Sequence, residues 1–86
     1  MAISFPDQPG LYTPNTTIGF PALVNGVIVN CEISTEALQD HFGARSTDSK
    51  ELQRAFESGK GVIVEAARKR LEIDADRRCL LVTSDF

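Results

Sequence analysis

The sequence predicts a small two-layer α+β domain: a three-stranded antiparallel sheet with both helices on one face. Three observations predict it. An Asn25-Gly26 pair joins two β-rich runs, residues 17–24 and 27–33. Capped, amphipathic helical patterns then fill residues 35–72, and an apolar run at residues 78–83 closes the chain as a third strand. The expected spatial order is 1-2-3. Residues 1–16, which hold Pro6, Pro9 and Pro14, are expected to be an irregular N-terminal segment with a short extended piece at Ile3-Ser4-Phe5. Residues 17–86 form the single α+β domain.

The hairpin carries the most information. A two-residue Asn-Gly link suits a turn in which both central residues take positive φ. Counting outward from it pairs Val24 with Val27, Ala22 with Val29, Phe20 with Cys31 and Ile18 with Ile33. All eight side chains are apolar and share one face, as the two-residue period requires. The opposite face carries Thr17, Gly19, Pro21, Leu23, Ile28, Asn30 and Glu32. Pro21 falls opposite Asn30 at a non-hydrogen-bonded position, so its missing N–H would have pointed away from the hairpin partner. Proline is tolerated where no other strand meets that side. The first strand is therefore an edge near Pro21, and the third strand must lie against the second.

Ser34 is the expected N-cap of a helix over Thr35–Phe42, with Glu36 in the first turn and Gly43 at the C′ position. Asp48 and Glu51 have the spacing of a capping box. Beyond them Leu52, Phe56, Gly59, Ile63, Ala66 and Arg70 recur in steps of four and three, flanked by Ala55, Val62, Ala67 and Leu71. That stripe favours one long helix over residues 48–72, bent at its glycines, over two helices broken at Ser58–Gly61. Glu72–Asp76 is read as a polar link. The expected core is Ile18, Phe20, Val24, Val27, Val29, Cys31, Ile33, Leu38, Phe42, Leu52, Phe56, Ile63, Ala66 and one of Leu80 and Leu81.

A chain of 86 residues with 42% hydrophobic and 24% charged side chains buries only about 60–65% of its unfolded surface. Its core is thin. No apolar run reaches the ~18–20 residues of a membrane span, and the first residues lack the pattern of a secretory signal. A cytoplasmic protein is expected, with Cys31 and Cys79 as reduced, buried thiols. Asn15-Thr16-Thr17 is a formal glycosylation sequon, read here as part of a turn. The net charge of −3 hides an asymmetry. Residues 1–44 hold four acids and no Lys or Arg, and all nine basic residues fall from Arg45 onward, beside eight acids. That balance argues against a dedicated nucleic-acid binder.

The run Val29-Asn30-Cys31-Glu32-Ile33-Ser34-Thr35-Glu36-Ala37-Leu38, with Phe20 before it and Phe56 after it, resembles a family of short proteobacterial proteins. That family is known as a domain of unknown function, number 1488. The resemblance spans roughly residues 17–83, and its most specific part is the Cys-x-Ile-Ser-x-Glu-Ala-Leu segment. It implies a small α+β domain whose sheet is covered by helices. It carries over no catalytic, cofactor-binding or metal-ligating residue.

The residues themselves supply none either. His41, near a helix C-terminus, interacts favourably with the helix dipole without any catalytic role. Cys31, among apolar neighbours, is expected to be inert. Gly59-Lys60-Gly61 fails the phosphate-loop pattern, since Arg54 and Gly61 stand where glycine and Ser or Thr are needed. Glu72, Asp74 and Asp76 lack the glycine and distant glutamate of a calcium loop. No cofactor and no metal are expected. The reading is of a non-enzymatic protein acting through a homodimer or another protein partner. Its candidate apolar patch is Leu23, Ile28 and a last-strand leucine on the outer sheet face. The alternative is weak nucleic-acid binding or regulation through Arg68, Arg70, Arg77 and Arg78 in the Arg68–Arg78 cluster.

Overall fold

A computed structural model describes residues 2–73 and 79–86. The strands are β1 (Ile3–Ser4), β2 (Leu11–Tyr12), β3 (Thr17–Val24), β4 (Val27–Ser34) and β5 (Cys79–Leu81). Three helices, α1 (Thr35–His41), α2 (Ser49–Ser58) and α3 (Lys60–Ile73), separate β4 from β5, and a short 3-10 turn spans Thr83–Asp85. The class is α+β.

The hairpin register is the one read from the turn. Val24 pairs with Val27, Ala22 with Val29, Phe20 with Cys31 and Ile18 with Ile33. Asn25 and Gly26 take φ of 52° and 84°, the left-handed values that a two-residue hairpin link needs. In the sheet, however, five strands replace the expected three, in the order β1-β3-β4-β5, with β2 also on β3. The segment expected to be irregular supplies two of them. Ile3 and Ser4 pair with Val24 and Leu23, and Leu11 and Tyr12 pair with Gly19 and Ile18. Two-residue strands carry no readable alternation, which needs about four residues or more. Asn15 of the sequon lies in the turn that joins β2 to β3, where Thr13 and Thr17 are hydrogen-bonded.

Pro21 explains why β1 and β2 are separate pieces. Neither reaches residues 20–22 of β3, so the strand is an edge at Pro21 as expected, though flanked on both sides of it. Between β1 and β2 the chain crosses to the helix side. Phe5 stacks near Phe20 with centroids 6.2 Å apart, and Gly10 lies against Ile18 and Phe56.

The second correction concerns β5. It runs parallel to β4, pairing Cys31 with Cys79, Glu32 with Leu80 and Ile33 with Leu81, not antiparallel as expected, and it ends at Leu81 rather than residue 83, while residue 78 lies outside the described residues. Parallel neighbours need a crossover, and α1 to α3 provide one across the inner face. Ser34 caps α1, its hydroxyl accepting from the Ala37 N–H at 3.1 Å. Asp48 occupies the N-cap of α2 but makes no side-chain capping bond. The expected capping box does not form because Glu51 turns instead to the Arg45 N–H and the Arg54 guanidinium.

The long helix of the sequence reading is two helices that meet at Gly59. The peptide ladder survives the junction: Gly59 donates to Ala55 and accepts from Ile63. The cause of the break is packing. A Cβ on Gly59 would lie 2.1 Å from the Phe42 ring, so the backbone deviates where Phe42 presses against it. Beyond the junction the buried stripe is Ile63, Ala67 and Leu71, one position on from the expected Ala66 and Arg70.

The core gathers Ile18, Phe20, Val24, Cys31, Ile33, Leu38, Leu52, Phe56, Ile63 and Leu81 as expected. Phe20 and Phe56 meet at 5.3 Å. Ala22, Ala37, Ala44, Ala55, Ala67, Leu71 and Cys79 join them. Val29, Phe42 and Ala66 are only partly buried. Val27 is 65% exposed, and among the described residues no strand lies beside it on the side of β4 away from β3.

Two outcomes test this packing. Gly59→Ala overpacks the Phe42 contact and should destabilise the fold by roughly 1–3 kcal/mol in urea denaturation. Gly61→Ala meets nothing within 4 Å and should instead stabilise by up to about 1 kcal/mol. Glu51 gives a pH test. The Arg54 guanidinium, helped by the Arg45 N–H, lowers its carboxyl pKa to about 2. A depressed folded-state pKa adds stability above the unfolded value near 4.5, and that stability disappears as pH falls toward 2. The melting-temperature gap between the wild type and Glu51→Gln should therefore be open at neutral pH and close across that acid window.

Candidate functional site

Each described residue singled out for chemistry has a structural partner. His41 lies at the end of α1 with Nε2 3.2 Å from the Thr83 carbonyl, and its ring faces Phe86 at 5.7 Å. Beside it, the Thr83 hydroxyl donates to Asp40. Both residues of α1 thus hold the C-terminal turn. Lys60, the lysine between the two glycines, reaches back to Asp7 at 3.1 Å and the Gln8 carbonyl at 3.0 Å. Glu72 binds Arg68 at 3.2 Å, while Asp74 and Asp76 lie outside the described residues. Among the described residues no group of three or more His, Cys, Asp or Glu side chains is placed to hold a metal ion.

Cys31 and Cys79 are register partners on β4 and β5, both free and both buried. The hydrogen bond between their side chains, reinforced by burial, raises the Cys31 pKa far above the ordinary thiol range. A thiol held in this way is a poor nucleophile, and although the same bond lowers the Cys79 pKa, Cys79 is 1% exposed and shielded from reagents. The native protein should leave an aromatic disulfide reagent unreacted, with both thiols titrating only in denaturant. One equivalent reacting in the folded state would contradict this assignment.

The residues proposed for interaction fall in two places. Leu23 and Ile28 are brought together as register partners on the outer sheet face. Leu23 is half-buried and Ile28 is 67% exposed. Leu80 of β5 shares that face in the row of Glu32, Gly19 and Leu11. A shallow groove of about 390 Å³ runs along it, lined by Leu11, Thr13, Gly19, Pro21, Asn30 and Glu32. The Glu32 carboxylate there accepts from the Thr17 hydroxyl at 2.5 Å.

Arg68 and Arg70 lie on α3, away from that face. The Arg68 guanidinium bonds Glu65 and Glu72, and Arg70 bonds Asp85 at 3.2 Å. The neighbouring carboxylates raise the Arg68 pKa, so its charge is locally compensated. Arg77 and Arg78 lie outside the described residues. Sequence reasoning missed a further surface. Between α3 and the C-terminal turn is a groove of about 980 Å³ lined by Val62, Ala66, Lys69, Ile73 and Phe86 among others. Its signal was present in the spacing of residues 62, 66, 69 and 73, but Val62 counted only as flanking and Ala66 as core.

Among the described residues, no helix is long and apolar enough to cross a membrane. A family model described as a protein of unknown function (DUF1488) matches residues 3–82. The chain belongs to the DUF1488 family. A crystal structure at 1.60 Å of a protein of unknown function from this family, from Shewanella loihica PV-4, superposes with a TM-score of 0.81. It is 23% identical, and the match covers 92% of this chain and 90% of that one. The fold is therefore shared with that DUF1488 protein. No curated protein matches the chain.

Proposed function

We propose that this DUF1488 chain is a non-enzymatic cytoplasmic protein that works by association, and that a second copy meets it edge to edge along β4. The observation that carries this reading is the state of residues 27–29. In the hairpin register Ile28 forms a non-hydrogen-bonded pair with Leu23, so its N–H and C=O point away from β3. Among the described residues no strand flanks that side of Val27, Ile28 or Val29. Natural sheets blunt such edges with charges, prolines or bulges. This stretch has none of them, and Val27 and Ile28 are 65% and 67% exposed.

A two-fold axis through Ile28 would set the two Ile28 residues opposite each other, exchange two backbone hydrogen bonds and lay Val27 against Val29 of the second copy. Leu23 and Ile28 would then form one apolar strip across the joined sheets. The paired, free thiols Cys31 and Cys79 support a reducing compartment. The basic cluster has less support as a phosphate site, because Arg68 and Arg70 are already bonded to acids.

Light scattering after size exclusion tests the reading at low and moderate salt. The wild type should run well above the 9.4 kDa chain mass, with little salt dependence. Ile28→Lys should lower the mass while shifting stability by no more than about 0.5 kcal/mol, as expected for an exposed position. An unchanged mass for Ile28→Lys, or a wild-type monomer, would overturn the sheet-edge reading.

A further inference from the structure

Helix α3 has two apolar faces, and only one is used. Ile63, Ala67 and Leu71 are fully buried against the sheet. On the other side Val62 and Ile73 are 60% and 86% exposed, and with Ala66 and Lys69 they line the groove beside Phe86. A surface helix ordinarily carries one apolar stripe. A second stripe spaced 62, 66, 69, 73 follows the four-three-four rhythm of helices that pack on one another.

We propose that this groove is a second association surface, and that its occupant is α3 of another copy running antiparallel. The proposal does not rest on the sheet-edge reading. The stripe is self-complementary under a two-fold axis midway between Ala66 and Lys69. Val62 then meets Ile73 of the second copy at each end of a contact spanning about 16 Å of helix. Lys69 meets Ala66 of the second copy, whose small side chain leaves room for the lysine stem.

The charges agree with this arrangement. Lys69 makes no hydrogen bond or ion pair within the described chain, whereas Arg68 and Arg70 on either side of it are both bonded to carboxylates. In the paired arrangement its ammonium comes within one residue, about 1.5 Å along the axis, of the level of Glu65 of the second copy. Glu65 lines the same groove. Each copy thus sets its Lys69 ammonium beside Glu65 of the other, an acid that Arg68 bonds within its own chain. Two self-complementary surfaces on one chain, one on the sheet layer and one on the helix layer, build an assembly larger than a dimer.

A charge swap in the Ile28→Lys background, which removes the sheet-edge contact, tests the inference by light scattering. Ile28→Lys alone should have twice the 9.4 kDa chain mass. Adding Glu65→Lys should set lysines against each other across the axis, and adding Lys69→Glu should do the same with glutamates. Each variant should then be a monomer. An equal mixture of the two should recover the dimer, because a mixed pair again sets lysine against glutamate at both half-sites. Glu65 and Lys69 are on the exposed side of α3 and Ile28 is exposed on β4, and circular dichroism should show the fold unchanged. A monomeric Ile28→Lys protein would overturn the groove inference while leaving the sheet edge standing. Single charge variants that stay dimeric, or a mixture that stays monomeric, would also overturn it. A wild-type mass for Ile28→Lys, lost on adding either charge change, would support the groove and sink the sheet-edge reading instead.

Discussion

The register between β3 and β4 underlies the rest of the molecule. It is set at Asn25 and Gly26, whose positive φ values match the twist of the two strands. A slip of one residue would turn Ile18, Phe20, Ala22 and Val24 to the outer face. The same register decides what can flank the hairpin. It points the proline side of Pro21 outward, so the N-terminal segment must pair above and below that residue rather than across it. It also faces Cys31 and Ile33 toward the helices, which fixes where Cys79 and Leu81 of β5 enter the core.

The features readable from the sequence are those in which a single local signal decides the outcome. Asn25-Gly26 gave the hairpin register, with its four apolar pairs and Pro21 opposite Asn30, Ser34 gave a capped helix, and Pro21 gave a local edge. Where two parts of the chain distant in sequence decide together, the sequence alone was silent or misleading. The break at Gly59 depends on the Phe42 ring, seventeen positions earlier. The parallel course of β5 depends on how three helices cross the sheet. β1 and β2 are strands only because β3 offers them a partner. The candidate surfaces divide in the same way. Ile28 could be read as outward from the turn, whereas the second stripe of α3 could not be told from the first until the buried one was known.

The thinness of this domain links its fold to its function. A chain this short satisfies its inner sheet face with three helices and has little left to cover the outer face, the end of β4 or the far side of α3. Among the described residues two apolar surfaces remain exposed, at Val27 and Ile28 and at Val62 and Ile73, while several polar side chains hold termini and turns together. His41 fastens the C-terminal turn, Lys60 fastens the N-terminal segment, and Glu51 fastens the loop before α2.

The most direct test is amide hydrogen exchange at Ile28, followed by nuclear magnetic resonance at low and high protein concentration. Its N–H points away from β3 and has no strand partner among the described residues, and the proposed association would protect it. The account predicts slow exchange at high concentration that accelerates on dilution, while Val29 stays protected throughout by its pair with Ala22. Exchange at Ile28 as fast as in an unstructured chain at every concentration would contradict it.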